Sequence, residues 1–161
     1  MQRYPETLWK LLVNQNLGLA KRLEIAIKLA KEVKSAHKDS MMVHKDLKPT
    51  NVMLDANQEL TLVDFGIARN IGFWFELSGT PGFNAPEAFS GDKQQYSADI
   101  FSLAKNLTLI LFKWDIGWTL LWSPKEWITS QKISEDKLAP FSDFFDLIRQ
   151  MLQVNLKDNL F

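Results

Sequence analysis

Within the 25 residues 42–66, MVHKDLKPTNVMLDANQELTLVDFG, several side chains are of types that do chemistry: His44, Asp46, Lys48, Asn51 and Asp64. Phosphoryl transfer leaves a protein little covalent work. It needs a carboxylate to orient the attacking hydroxyl and accept its proton, and oxygen ligands for Mg2+. Asp46 is a candidate for that carboxylate, and Asn51 and Asp64 are candidate metal ligands. Lys48, two residues after Asp46, can reach a phosphate in transit and neutralise its charge. Loop capping without chemistry is the bland reading of the same residues.

The elements that must position these groups are short. Val52-Met53-Leu54 and Leu60-Thr61-Leu62-Val63 are apolar runs of strand length bounded by turn formers, and they predict a small hairpin. Asp46 and Asn51 then lie on a loop at one end, with Asp64 on the loop that follows. Pro5-Glu6-Thr7 ahead of Leu8-Trp9-Lys10-Leu11-Leu12 predicts a short helix. From Leu19 to about Lys38 the spacing predicts a long helix, with Leu19, Leu23, Ala26, Ile27, Ala30, Val33 and His37 on its buried face and Glu24 paired to Lys28. Asn70 to Pro86 reads as irregular. Further helices are expected at about 98–113, from Ser123-Pro124 to about Gln131, and at about 141–153, the last with Phe144, Phe145, Ile148, Met151 and Leu152 inward. The fold class is mainly α with one small β-hairpin element.

A chain of 161 residues supports one domain with a real core. Nineteen Lys and Arg balance nineteen Asp and Glu, which argues against nucleic-acid binding. Without cysteine there are no disulfides or thiolate metal sites, and two histidines make a zinc site improbable. Residues 100–122 are strongly apolar, but Lys105, Lys113 and Asp115 interrupt them, so a buried helix is expected there and no membrane span. The first ten residues carry no signal pattern, and a cytoplasmic protein is the expectation.

His44-Lys45-Asp46-Leu47-Lys48-Pro49-Thr50-Asn51 resembles the catalytic loop of a eukaryotic protein kinase. Asp64-Phe65-Gly66 resembles the metal-binding turn of that family, and Ala85-Pro86-Glu87 the close of its activation segment. The Asp46-Leu47-Lys48 form resembles the Ser/Thr branch. The resemblance covers nearly all of 1–161 and implies the C-terminal lobe of a kinase, with ATP and Mg2+ as cofactors and a protein as substrate. It implies Asp46 as base, Lys48 on the phosphate, Asn51 and Asp64 on the metal, and Met53 under the adenine ring. Thr80, in Gly79-Thr80-Pro81-Gly82, takes the substrate-docking position near Asp46. His44 and Phe65 belong to an apolar stack that aligns the site, Asp99 holds the backbone around His44, and Glu87 is structural.

The chain departs from the family pattern in several places. No glycine-rich loop or VAIK-like strand precedes residue 4, so half the nucleotide pocket is expected to be absent and an apolar lobe face left for a partner to cover. Lys45 stands where the family usually has arginine, a weaker grip on an activation-loop phosphate. Ile71, Phe73-Trp74-Phe75 and Leu77 make that segment apolar and predict little dependence on its phosphorylation, with Ser78 the hydroxyl to test. Asn159 falls where an arginine usually pairs with the residue at Glu87. Trp114, Trp118, Trp122 and Trp127 are expected in the core. The leading reading is a truncated Ser/Thr kinase lobe. The alternative is a catalytically inactive lobe that acts as a protein-binding module. A small-molecule phosphotransferase is disfavoured by Ala85-Pro86-Glu87 and the loop at 79–82.

Overall fold

The computed structural model describes residues 6–70, 79–85, 96–112 and 142–153. The sequence readings at Ile71 to Ser78, Pro86-Glu87, the four tryptophans from 114 to 127, the helix at 124–131 and Asn159 lie outside those residues.

Strand β1 (Glu6–Thr7) leads into helix α1 (Leu8–Asn14), and Thr7 Oγ1 caps the helix by accepting from the Lys10 amide at 3.2 Å. The expected helix start at Pro5-Glu6 is therefore early by two or three residues. Glu6 and Thr7 are drawn out as a strand because they pair with Leu54 and Met53. The hairpin of β3 (Val52–Leu54) and β4 (Leu60–Leu62) thereby becomes a three-stranded antiparallel sheet, ordered β1-β3-β4. Asp55 closes its turn, with Oδ1 accepting from the amides of Asn57 and Glu59, both at 2.8 Å.

Helix α2 (Leu19–Ser40) has the expected span and the expected Glu24–Lys28 pair, at 3.1 Å. Its buried face is turned from the expected one. Ile25, Ala26, Leu29 and Val33 are buried, whereas Leu19, Leu23 and Ile27 are exposed. The reason is that α2 packs against two elements at once, β4 and helix α3 (Tyr96–Phe112), and Ile25 and Leu29 belong to the core that these elements share. Helix α3 runs back along α2. Arg22 reaches the Leu111 carbonyl at one end, and His37 meets Asp99 at the other.

The α2 helix stops at Met41, which takes a left-handed conformation (φ 53°, ψ 30°). The chain then forms β2 (Met42–Val43), paired antiparallel with β5 (Arg69–Asn70). Helix α4 (Ser142–Gln153) packs on α3 through buried Ile148, with Phe144, Met151 and Leu152 partly covered. One apolar core joins α1, α2, α3 and the sheet, and Leu47 from the loop after β2 sits in it fully buried. Each such leucine contributes about 1.5–3 kcal/mol. No helix among the described residues is long and apolar enough to cross a membrane.

Candidate active site

The loop from His44 to Lys48 has no regular secondary structure, so its buried backbone groups need other partners. Side chains supply them. Asp99, in the first turn of α3 and 1% exposed, accepts from the His44 amide at 2.7 Å through Oδ2 and from the Lys45 amide at 2.9 Å through Oδ1. The Lys45 carbonyl accepts from Asn84 Nδ2 at 3.0 Å. The Asp46 amide donates to His44 Nδ1 at 3.3 Å, and the Asp46 carbonyl accepts from Asn51 Nδ2 at 3.0 Å. The Leu47 carbonyl accepts from Asn106 Nδ2 at 3.0 Å. This holds Lys45 at φ 72°, a conformation that side-chain-bearing residues adopt only under constraint.

His44 is used on both ring nitrogens. Nε2 lies 3.0 Å from the Val63 carbonyl and so carries the hydrogen, which leaves Nδ1 to accept from Asp46. Its ring packs on Phe65 at 4.7 Å between centroids, and Phe65 keeps an exposed edge. This tautomer orients the loop and leaves no ring nitrogen free for proton transfer.

The Asp46 carboxylate is held by three donors. Thr80 Oγ1 donates to Oδ1 at 2.7 Å, and Asn51 Nδ2 donates to Oδ2 at 3.0 Å. Lys48 Nζ lies 2.8 Å from Oδ2 and also donates to Thr80 Oγ1 at 2.8 Å. Burial alone would push this carboxyl up, but the hydrogen bonds from Lys48, Thr80 and Asn51 and the Lys48 charge outweigh it and hold the group below its ordinary value. Asp46 is therefore a buried, charged acceptor at neutral pH.

Thr80 is brought there by a turn with its own fastening. The Thr80 amide donates to Asn84 Oδ1 at 3.2 Å while Asn84 Nδ2 grips Lys45. Gly79, at φ 122°, permits this: a Cβ there would lie 1.6 Å from Asn84 Nδ2.

Asn51 and Asp64 come to the same end of the hairpin. Val52 pairs with Leu62, and the Val63 amide donates to the Asn51 carbonyl at 2.9 Å, one residue before Asp64. Asp64 is exposed and left-handed (φ 63°, ψ 59°). Both Asn51 amide contacts to Asp46 run through Nδ2, so Oδ1 is the atom suited to a cation. An amide oxygen and a carboxylate are a donor set that Mg2+ accepts, with phosphate oxygens and water completing it. Met53 lies half-buried on the central strand, on the face opposite Val52 and Leu54.

The structure thus brings His44, Asp46, Lys48, Thr80 and Asn51 into one bonded set anchored by Asp99. Three residues that fasten this set have no functional reading in the sequence: Asn84, Asn106 and His37, whose Nε2 lies 2.8 Å from Asp99 Oδ2 while its ring stacks on Tyr96 at 4.4 Å. Their partners are 39, 59 and 62 residues away. The spacing of His37 on α2 was visible, but it read as one more buried position.

Comparison with known proteins agrees with this geometry. The family model described as "Protein kinase domain" matches residues 4–159. Serine/threonine-protein kinase PknK of Mycobacterium bovis is 38% identical over 94 residues, 55% of this chain and 8% of that protein. The cAMP-dependent protein kinase type 3 of Saccharomyces cerevisiae is 29% identical over 124 residues, 74% of this chain and 30% of that protein. The structure of the Cydia pomonella granulovirus kinase PK-1 superimposes with a TM-score of 0.69 at 21% identity, over 98% of this chain and 62% of that one. The chain therefore spans less than a third of the length of these curated relatives.

Proposed function

This chain belongs to the protein kinase family, and on that premise we propose that residues 1–161 form the catalytic C-terminal lobe of a serine/threonine kinase. The reaction is transfer of the γ-phosphoryl group of ATP to a Ser or Thr hydroxyl of a protein, in the cytoplasm. The observation that carries this reading is Asp46, a carboxylate kept charged in a buried site on a loop fastened from both sides. In that state it accepts a hydrogen bond from the attacking hydroxyl, orients the oxygen, and takes its proton as the new bond forms. Lys48, already beside Asp46, sets a positive charge where the transferred group gathers negative charge. Thr80 holds the docking turn at the distance that puts a substrate hydroxyl next to Asp46. Asn51 and Asp64 would hold Mg2+, which neutralises phosphate charge when bound with ATP. Met53 supplies an apolar seat for the adenine, and Phe65 steadies His44.

The 161 residues contain no glycine-rich loop or VAIK-like strand, so a nucleotide-covering segment must come from elsewhere, in the same protein or another. The test, run on the protein with that covering segment present, is transfer of labelled γ-phosphate from Mg·ATP to Ser- and Thr-containing peptides. Asp46→Asn is expected to abolish transfer with the circular dichroism spectrum unchanged. Transfer that survives this substitution would refute the reading.

A second reading, a kinase-like lobe that binds proteins without catalysis, is favoured by the exposed row Leu19, Leu23 and Ile27 on α2. It predicts a partner whose capture survives Asp46→Asn and is lost in Leu23→Lys with Ile27→Lys.

A further inference from the structure

Helix α3 is apolar along most of its buried length, and Asn106 interrupts it. Leu103, Leu107 and Ile110 around it are buried, and Asn106 itself is 0% exposed. Its Nδ2 donates to the Leu47 carbonyl at 3.0 Å and to the Ser102 carbonyl, one turn back on its own helix, at 2.7 Å. Its Oδ1 has no hydrogen-bond partner among the described residues. A buried amide oxygen left unpaired lowers stability, so packing alone gives no reason for this side chain.

Its position gives one. Asn106 lies seven residues, two turns, after Asp99, so both project from the same face of α3. Asp99 offers acceptors to the amides of His44 and Lys45, the two residues before Asp46. Asn106 offers a donor to the carbonyl of Leu47, the residue after it. One rigid helix face therefore grips the peptide frame on both sides of Asp46, with opposite hydrogen-bonding polarity at the two points. Leu47 is seated in the core between them, fully buried. We propose that Asn106 is a positioning residue, the downstream half of a two-point anchor that fixes where the Asp46 carboxylate points.

This inference yields a pattern that ordinary core packing does not. Asn106→Leu keeps the branched shape with somewhat more bulk, removes the unpaired oxygen and removes the donor to Leu47. The losses and gains in stability nearly offset, so the melting temperature is expected to move by no more than about 3 °C. The loop, released at one point, is expected to exchange its amide hydrogens roughly tenfold faster in peptides spanning 46–51, with peptides from α2 unchanged. Leu103→Ala, a cavity variant one turn away, is the control. It should lower the melting temperature and leave exchange at 46–51 no faster than in the rest of the core.

A kinetic arm rests on the phosphotransfer reading. There Asn106→Leu should lower kcat roughly tenfold with KM for the peptide unchanged, because the acceptor is misaimed and the docking turn is intact. The exchange arm does not rest on that reading. If Asp46→Asn leaves activity intact while Asn106→Leu still loosens 46–51, the reaction is wrong and the anchor stands. If Asn106→Leu leaves exchange at 46–51 at the wild-type rate, or loosens the whole core together as a cavity does, the anchor is overturned.

Discussion

Replacing Asp99 by asparagine is the most searching test of how the site is held. The carboxylate serves three donors: the amides of His44 and Lys45 and Nε2 of His37. Asparagine keeps one oxygen and puts an NH2 group where the other was. At least one charge-assisted bond is lost, about 1.5–3 kcal/mol, and one buried N–H faces another donor, a further 1–3 kcal/mol. The expected cost is about 3–6 kcal/mol, a large share of the 5–15 kcal/mol that holds a typical domain together. His37→Phe is the companion. It keeps a ring against Tyr96, 4.4 Å away in the native stack, and removes only one donor. That loss should cost about 1.5–3 kcal/mol. Urea unfolding at pH 7 measures both, and hydrogen exchange at His44 and Lys45 reports whether the loop opens first. A denaturation midpoint for Asp99→Asn equal to that of the wild type would refute the reasoning. So would a larger loss for His37→Phe than for Asp99→Asn.

Other substitutions probe other parts. Gly79→Ala places a Cβ on Asn84 at a φ of 122° and should cost about 1–3 kcal/mol from the backbone alone, with faster exchange around Lys45, measured by urea unfolding and mass spectrometry. Met41→Gly relieves a left-handed helix end and should raise stability by about 1 kcal/mol in the same assay, less whatever the Tyr96 hydroxyl contact to Met41 contributes. Burial holds the Lys105 ammonium below its ordinary value of 10.5, so its charged form opposes folding. Lys105→Met should stabilise at neutral pH, and thermal melts should show that gain fading as pH rises toward 10.5. Asp46 is depressed below 3.8, so its bonds to Lys48 and Thr80 stabilise the fold above that pH and are lost as pH falls through the lowered value. The stability difference between wild type and Asp46→Asn should therefore hold from pH 8 to 5 and shrink only under strong acid.

The residues from His44 to Asn51 could be read from sequence because their geometry is local: Asp46, Lys48 and Asn51 bond to one another across a few positions. The spans of α2, α3 and α4 were legible for the same reason, since periodicity and end signals lie within each segment. The face that α2 buries was not, because it depends on packing at once against β4 and α3. Leu19, Leu23 and Ile27 fit the helical period as well as Ile25, Leu29 and Val33 do, and only the tertiary arrangement selects between them. Strand β1 was missed because its partner β3 lies more than forty residues ahead. Asn84 and Asn106 were illegible in a stronger sense. Each satisfies a backbone carbonyl, Lys45 or Leu47, and a carbonyl has no residue identity for a pattern to register.

The turn at residues 55–59 lies at the end of the hairpin farthest from the chemistry, yet it sets the alignment of the two strands. Asp55 collects two amides there, and Gln58 adopts φ 61° to let the chain reverse. In the alignment it imposes, Val52 faces Leu62, and the carbonyl of Asn51 takes the amide of Val63. A slip of one residue would carry Asp64 about 3.3 Å along the strand and turn the buried leucines outward. On the proposed metal reading, Asn51 and Asp64 would then no longer be placed to share a cation. On the same reading, a surface substitution such as Asp55→Ala, remote from the proposed site, is expected to weaken Mg2+ affinity, measured by titration. The selectivity of the proposed metal site is in this sense a measurement of how faithfully a distant turn keeps count.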